Sequence, residues 1–310
     1  MATIQIKKAQ RAQSKLRIGL SGPSGSGKTY SALLMARGMA SSWDKVLLID
    51  SENGSGQIYS DLGAYSVITL EAPFTPESYV KAIEAAEDAG VEVIVIDSTS
   101  HEWDGKGGCL EINENLGISK FKGNNWAAWS ETTPRHQKFI EAIVGSECHV
   151  ITTQRSKTDT IQTEDKKIKK VGLKDIQREG FEYELTVNLN IDRERHLAIA
   201  SKDRTGLFID RDPFLVTEKT GQEILAWNMA GAPAETGMTR AQKVVHEKKA
   251  KILNQLKALN RPAASADECA ASVLALADLE LVDANFDEII GRLAIRISEA
   301  REALLAASNV

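Results

Sequence analysis

Residues 22–29 read Gly-Pro-Ser-Gly-Ser-Gly-Lys-Thr and match every fixed position of the G-x-x-x-x-G-K-[ST] phosphate loop. In such a loop, glycines allow backbone N–H groups to close around phosphate oxygens. The apolar run 16–20 predicts a short strand before the loop, and residues 30–37 predict a helix after it. This order brings the positive end of a helix dipole to the phosphates, so the segment predicts a nucleotide site.

The loop and a second strand together predict a Mg-nucleotide site. Lys28 would hold the β- and γ-phosphates, and the Thr29 hydroxyl would ligate Mg²⁺. Asp97 ends the apolar run 93–96, where the second carboxylate near the metal is expected. The residues expected to contact the nucleotide are Gly22, Pro23, Ser24, Gly25, Ser26, Gly27, Lys28, Thr29, Tyr30 and Asp97, with Thr29 and Asp97 as the metal ligands.

Composition indicates a globular chain of 310 residues with a net charge of −5. No apolar run is long enough to span a bilayer, and the first residues lack a signal-peptide core, so we expect no membrane partner. Three well-separated cysteines are typical of free thiols in a reducing compartment, which predicts a cytoplasmic location. With this net charge, contact with nucleic acid requires a local basic patch.

Strands and helices alternate from about residue 16 to residue 150, with one helix predicted over 134–144, which predicts a parallel sheet with helices on both faces. Shorter alternating strands follow over 181–216, and a linker-like stretch precedes a region rich in Ala, Leu, Glu and Lys. We therefore predict four segments: a basic N-terminal segment 1–15, a core 16–230, a linker 231–238 and a helical domain 239–310. The last is expected either to pack as a small bundle or to dock a partner.

Three acids compete for the role of water-orienting base. Asp50 and Glu52 follow the strand 46–49, where a carboxylate can direct a water at the γ-phosphate. Either could instead cap a turn. Glu102 is a rival base, with helix capping as an equal alternative.

The chain resembles the RecA-like recombinase and ATPase superfamily over about residues 16–228. The string 49–53 is similar to the family's strand that ends in the catalytic glutamate, which falls on Glu52, and Tyr59 corresponds to a tyrosine that stacks on adenine. Gln154 corresponds to a glutamine that senses the γ-phosphate. The string 201–206 resembles a basic motif inserted into the neighbouring subunit's site, so Lys202 and Arg204 would stabilise transition-state charge there.

More narrowly, the strings 97–103 and 177–184 resemble phage-encoded AAA-type ATPases, some of which are similar to single-strand annealing proteins. The resemblance implies an α/β fold: a RecA-like P-loop NTPase core with a mostly parallel central sheet, plus a small C-terminal α-helical domain. It also implies Mg-dependent, DNA-stimulated ATP hydrolysis at subunit interfaces of a ring or filament in the host cytoplasm. Expected partners are single-stranded DNA and a single-strand DNA-binding protein. The alternatives are a nucleotide-switched adaptor without DNA contact and a small-molecule kinase, which is disfavoured because no Arg-rich lid is present.

Two long segments, 104–129 and 155–178, depart from the regular rhythm and correspond to the DNA-contacting loops of RecA-like proteins. Phe121 or Trp126 could stack on bases, whereas the three-residue spacing of Trp126 and Trp129 favours the core face of a helix. The second segment is rich in lysine and would either neutralise DNA phosphates or form a solvated hairpin. Its lysines are Lys157, Lys166, Lys167, Lys169, Lys170 and Lys174.

Overall fold

The computed structural model describes residues 8–162 and 168–233, with the backbone alone for 158–162 and 168–171. The chain divides into two compact units, Met1–Ala234 and Glu235–Val310, and every described residue belongs to the first. The helices predicted over 239–307 therefore lie outside the described residues. None of the helices that are described is long and apolar enough to cross a bilayer.

A nine-stranded sheet forms the centre of the described part of the chain. Its strands are β1 Arg17–Gly22, β2 Val46–Asp50, β3 Ser66–Thr69, β4 Val93–Asp97, β5 His149–Gln162, β6 Ile168–Asp175, β7 Val187–Ile191, β8 Leu197–Asp203 and β9 Phe214–Leu215. They are ordered β3-β2-β4-β5-β1-β7-β8-β9, and β6 pairs with β5 off this path. The strands from β3 to β7 in this order are parallel, whereas β6, β8 and β9 run antiparallel to their neighbours.

Helices cover both faces of the sheet, as the alternation of strands and helices predicts. They are α1 Lys28–Met39, α2 Pro76–Asp88, α3 Ser100–Asp104, α4 Cys109–Ser119, α5 Asn125–Gly145 and α6 Glu218–Met229. One apolar cluster joins α1 and α6 to the sheet, and a second joins α2 and α5. Successive residues of β2 alternate between them: Leu48 belongs to the first cluster, and Leu47 and Ile49 belong to the second. The predicted α/β fold with a mostly parallel sheet is confirmed.

The register of the parallel strands brings the predicted site residues to one edge. Asp50 lies opposite Asp97 across the β2–β4 pair. Ser21, at the end of β1, lies opposite Gln154 in β5. Because the carboxyl ends of parallel strands share an edge, the phosphate loop converges there with Asp50, Asp97 and Gln154.

Two helices differ from the sequence prediction. A helix was expected from Pro134, but α5 begins nine residues earlier, at Asn125, because the Asn124 side chain caps Ala127 N at 3.0 Å. Pro134 lies inside it and removes a hydrogen bond to the carbonyl of Ser130, a residue that is exposed to water. The irregular segment predicted over 104–129 contains α4, whose Gly117 lets α5 approach closely: an added Cβ would lie 1.9 Å from Asn125 Oδ1.

The second irregular segment is a β-hairpin that extends beyond the sheet. The strand β5 continues past Gln154 to Gln162, and β6 returns antiparallel to it from Ile168 to Asp175. Of the two alternatives given for residues 155–178, the backbone forms the predicted hairpin. Whether it contacts DNA is a separate question, and the tip 163–167 lies outside the described residues.

His149, at the start of β5, should make the fold sensitive to acid. Leu16 N donates to its Nδ1 at 3.0 Å, and burial, with Lys15 and Arg17 nearby, lowers the pKa of His149 from 6.5 to about 4. The unfolded chain therefore binds the proton first as pH falls from about 6.5 towards 4, and the native state loses stability in that window. We expect His149 to account for about 2 kcal/mol of the loss between pH 7 and pH 5.

Urea unfolding at both pH values measures this loss, with His149→Gln as the comparison. All other acid-sensitive groups are present in both proteins, and only the contribution of His149 is missing from the variant. The free energy of unfolding of His149→Gln should therefore fall less between pH 7 and pH 5 than that of the wild type. An equal loss in the two proteins would contradict the assignment.

Candidate active site and adjacent groove

The phosphate loop joins β1 to α1 in a conformation that needs its glycines. Gly25 and Gly27 have φ angles of 79° and 86°, in the left-handed region that favours glycine. A Cβ added to Gly22 would lie 2.5 Å from Ile191 O, so a larger residue would displace the loop. The buried Ser26 hydroxyl has no hydrogen-bond partner among the described residues. A tight loop with an unpaired buried donor is suited to hold phosphate oxygens.

Lys28 is held at the mouth of this loop by its own backbone. Its Nζ donates to Gly22 O and Pro23 O, each at 2.9 Å. Burial lowers the pKa of Lys28, although the carboxylates of Asp97 and Glu52 act in the opposite direction. The two carbonyl contacts cost little to exchange for phosphate oxygens, which are stronger acceptors for a cation.

Thr29 and Asp97 lie together, as a Mg²⁺ site between them requires. Thr29 Oγ1 donates to Asp97 Oδ2 at 2.5 Å, and the Thr153 hydroxyl donates to the other oxygen of Asp97. Burial raises the pKa of Asp97, and the two hydroxyl hydrogen bonds only partly offset this. A bound divalent cation would favour the ionised carboxylate. The pair therefore fits the metal ligands predicted from the sequence.

The two acids after β2 have different surroundings. Asp50 is fully buried and accepts from the backbone N–H groups of Glu52 at 2.7 Å and Gly56 at 3.0 Å. It therefore caps the turn, which is one of the two roles considered for it. Glu52 reaches the site instead, where Ser98 Oγ donates to its Oε1 at 2.9 Å.

Arg155 is the strongest contact of Glu52. Its Nε donates to Glu52 Oε1 at 2.8 Å, and its Nη2 contacts the second oxygen. Burial raises the pKa of Glu52, but the hydrogen bond and charge of Arg155, with His101 and Ser98, outweigh this and lower it below its usual value. Glu52 is thus ionised and adjacent to the phosphate loop, but both of its oxygens are engaged.

Glu102, the rival base, is enclosed in a buried cluster. It is fully buried, and its Oε1 lies 3.0 Å from both His136 Nδ1 and Cys109 Sγ. The Glu102, Cys109 and His136 side chains are types that can ligate a transition metal. A tetrahedral zinc ion, however, would hold its sulfur and oxygen ligand atoms about 3.5 Å apart. The 3.0 Å separations therefore indicate a hydrogen-bonded cluster that joins α3, α4 and α5, without access for an attacking water.

Gln154 lies within β5, where the strand passes from its pairing with β1 to the hairpin. Its Nε2 donates to Thr152 Oγ1 at 2.7 Å. The Ser21 hydroxyl lies 3.0 Å from Gln154 Oε1 and 2.6 Å from Asp175 Oδ2, at the end of β6. Ser21, Gln154 and Asp175 border a cavity of about 270 Å³ that Gly22 also lines. Gln154 therefore links the strand of the phosphate loop to the hairpin, and its role as a γ-phosphate sensor stays a prediction.

Tyr59 approaches the loop from the segment after β2. Its ring makes an edge contact with Tyr30, with centroids 5.6 Å apart. Tyr30 directly follows Thr29 and is exposed, so the ring pair lies at the surface next to the phosphate loop. Stacking on adenine stays a prediction.

Lys202 and Arg204 lie far from their own phosphate loop. Lys202 pairs with Asn188, which pairs with Gly19 near the start of β1, whereas the loop follows the end of that strand. Lys202 Nζ donates to Glu182 O and Arg204 Nη2 donates to Tyr183 O, each at 2.6 Å. The structure does not bring them to the phosphate loop of their own chain, and their role at a neighbouring subunit stays a prediction.

Sequence reasoning missed two side chains beside the phosphate loop. They lie in the β7–β8 turn: a Cβ added to Gly25 would be 3.8 Å from Arg193 Nε, and His196 Nδ1 lies 3.0 Å from Ser26 O. No motif distinguishes either residue in the sequence. It also assigned no role to Arg155, although this residue directly follows Gln154.

A groove of about 620 Å³, here called the tryptophan groove, borders the base of the hairpin. Its lining includes Trp103, Trp126, Trp129, Lys157, Lys174 and Arg178. The Trp103 and Trp129 rings stack with centroids 5.6 Å apart, and the Arg178 guanidinium lies over Trp129. Trp126 is 87% exposed, so the alternative in which it faces the core is wrong. Its helix begins only at Asn125, which leaves Trp126 on an open first turn.

A glycine-rich phosphate loop at the edge of a mostly parallel sheet, with Thr29 beside the strand-end Asp97, defines the class of P-loop NTPases. A family profile described as an AAA domain matches residues 14–214. The chain therefore belongs to this AAA domain family of ATPases. No curated protein matches the chain.

Proposed function

We propose that this protein is a Mg-dependent ATPase that binds single-stranded DNA and hydrolyses ATP between adjacent subunits. The observation that carries the proposal is the position of the tryptophan groove. It borders the hairpin that continues β5, and β5 also supplies Gln154 to the nucleotide site. One strand therefore joins a site for phosphates to a surface suited to bases. Recombination or annealing of phage DNA is the setting that the sequence resemblance implies.

The hydrolytic step is derived from the loop and Glu52. Lys28 and the loop N–H groups would hold the phosphates of ATP, and bound Mg²⁺ would neutralise their developing charge. Glu52, once free of Arg155, would accept a proton from the attacking water. The water oxygen bonds to the γ-phosphorus, the bond to the bridging oxygen breaks, and ADP leaves with that electron pair.

The groove supports DNA binding through stacking more than through net charge. Exposed and stacked indole rings offer flat surfaces to bases of any sequence, and a guanidinium over a ring adds a cation. Asp104, Asp175 and Glu179 also line the groove and match the number of its basic side chains. We therefore expect these residues to give modest salt dependence. Any steep dependence would come from the hairpin lysines Lys166, Lys167, Lys169 and Lys170, whose side chains lie outside the described part.

Replacing Trp126 with alanine should weaken DNA binding without destabilising the fold, since the indole is 87% exposed. Loss of one stacked base corresponds to about 1–3 kcal/mol, or roughly 5- to 150-fold in Kd. Fluorescence anisotropy with labelled oligo-dT measures the change. Ile199→Ala is the control, because Ile199 is 52% exposed on β8, outside the groove.

If the wild-type protein does not bind oligo-dT, the nucleotide-switched adaptor without DNA contact becomes the better account. If it binds and both variants bind equally well, the DNA lies elsewhere.

Subunits that lack different halves of one site should restore activity when mixed. Lys28→Ala would inactivate a subunit's own loop, and Arg204→Ala would remove the basic group offered to its neighbour. Each variant alone should be inactive, whereas a mixture contains interfaces with one intact Lys28 and one intact Arg204. ATP turnover measured across mixing ratios tests this. Absence of rescue, with subunit exchange demonstrated, would contradict a role for Arg204 between subunits.

A further inference from the structure

The contact between Glu52 and Arg155 joins the proposed base to the hairpin. Arg155 Nε donates to one Glu52 oxygen at 2.8 Å, and its Nη2 contacts the other oxygen. The two planar groups therefore meet through paired hydrogen bonds, the most directional form of ion pair between side chains. The Ser98 hydroxyl adds a third hydrogen bond at 2.9 Å.

The backbone of Arg155 is fixed at the base of the hairpin. Its N–H donates to Ser100 Oγ at 2.9 Å, and its carbonyl accepts from Ile176 N at 2.7 Å, directly after β6. Arg155 therefore lies where β5 enters the hairpin and where β6 leaves it. A movement of the hairpin base would be transmitted to this ion pair.

A carboxylate held in this way is poorly placed to activate water. Three of its about four lone-pair sites accept from the guanidinium and the hydroxyl, so a water competes with those hydrogen bonds for the carboxylate. The hydrogen bond and charge of Arg155, which lower the pKa of Glu52 in spite of its burial, act in the same direction. Hydrolysis is therefore expected to await release of Glu52.

A DNA phosphate is a suitable competitor for Arg155. A guanidinium binds phosphate and carboxylate through the same paired geometry, so one contact can be exchanged for the other. The Arg155 side chain is 42% exposed. Lys157, two residues further along β5 and so on the same face of the strand, lines the tryptophan groove. Arg155 itself does not line the groove, so a strand bound there would have to extend along β5 beyond Lys157 to bring a phosphate to Arg155.

We infer that Arg155 restrains Glu52 when no DNA is bound, and that a DNA backbone phosphate takes over the Arg155 guanidinium and releases Glu52 to act as the base. Arg155 is thus a positioning residue that couples DNA binding to hydrolysis. The inference rests on the proposed function, because it assumes that Glu52 is the base and that DNA binds in the groove.

The test compares steady-state ATP turnover with and without oligo-dT in the wild type, Arg155→Ala and Arg155→Lys. We expect Arg155→Ala to raise DNA-free turnover by about three- to tenfold, the range for losing a partly exposed charged hydrogen bond, and to remove further stimulation by DNA. Arg155→Lys keeps the positive charge but loses the paired hydrogen bonds, so its DNA-free turnover should lie between that of the wild type and that of Arg155→Ala. The rise must disappear in the Arg155→Ala/Glu52→Gln double variant, because it acts through Glu52.

Arg135→Ala is the matched control. Arg135 makes the same paired contact with Glu77, at 2.7 and 2.8 Å, between α5 and α2. Its loss should leave both DNA-free turnover and stimulation unchanged. Thermal unfolding of each variant separates a change in restraint from a change in fold.

Three results would overturn the inference. Unchanged or reduced DNA-free turnover in Arg155→Ala would mean that the arginine orients Glu52 for catalysis or has no role. If DNA-free turnover rises in Arg155→Ala but oligo-dT still stimulates this variant as it does the wild type, the Glu52–Arg155 contact is not what DNA binding releases. Loss of discrimination between ATP and ADP would assign Arg155 to the γ-phosphate. Failure of the proposed function is distinct, because the wild type itself would then show no stimulation by DNA.

Discussion

Replacing Lys28 with alanine is expected to abolish binding and turnover of Mg-ATP while the fold persists. The Lys28 ammonium is the cation of the loop, and its present partners, Gly22 O and Pro23 O, are backbone carbonyls that do not depend on it for their positions. No other lysine or arginine lies within residues 22–29 to replace its charge. A fluorescent ATP analogue measures binding, and thermal unfolding reports the fold.

Lys81→Ala, at an exposed position of α2, is the control for loss of a lysine. It should leave binding and turnover unchanged. Full turnover in a clean preparation of Lys28→Ala would contradict the assignment of the phosphate loop as the nucleotide site.

Glu52→Gln should keep ATP binding but slow hydrolysis by about 10²–10⁴-fold, the usual effect of losing a positioned base. The amide keeps the size of the side chain but cannot accept the proton of the attacking water. Single-turnover hydrolysis separates this step from binding, because the protein is present in excess of ATP and above the Kd, so that all of the ATP is bound.

Glu102→Gln tests the rival base. Since Glu102 is fully buried against His136 and Cys109, its substitution should lower stability more than it affects the hydrolytic step. If Glu102→Gln shows the large kinetic loss and Glu52→Gln does not, the assignment of the base is wrong.

The core of the fold could be predicted from sequence because its signals are local. The apolar runs of β2 and β4 are buried at every position, as strands covered on both faces must be. The phosphate loop is defined by residue types at fixed spacing. Both kinds of pattern can be recognised without knowledge of the three-dimensional contacts.

The early start of α5 could not be predicted, because Pro134 normally indicates a helix beginning and tertiary packing overrides that preference here. Similarly, α4 was missed because its Gly117 is unfavourable for a helix in isolation, and only the close approach of Asn125 explains it.

The positions of the candidate site residues were partly accessible from sequence. Thr29 and Asp97 were expected to meet, since the phosphate loop and the end of β4 lie at the same edge of the parallel sheet. The Thr29 Oγ1 atom lies 2.5 Å from Asp97 Oδ2. The different environments of Asp50 and Glu52 could not be predicted, because either carboxylate could have capped the turn after β2. In the structure Asp50 caps it, and Glu52 lies beside Ser98. The restraint of Glu52 by Arg155 joins residues 103 positions apart, and no local pattern indicates it. The roles of these residues stay predictions until they are measured.

The most direct test of the account is steady-state hydrolysis of Mg-ATP by the wild-type protein, with and without single-stranded oligo-dT, beside Glu52→Gln under the same conditions. The account predicts turnover by the wild type, an increase when DNA is added, and almost none by Glu52→Gln in either case. Turnover that does not change with DNA, at concentrations where anisotropy shows the oligonucleotide to be bound, would contradict the coupling of ATP hydrolysis to DNA binding.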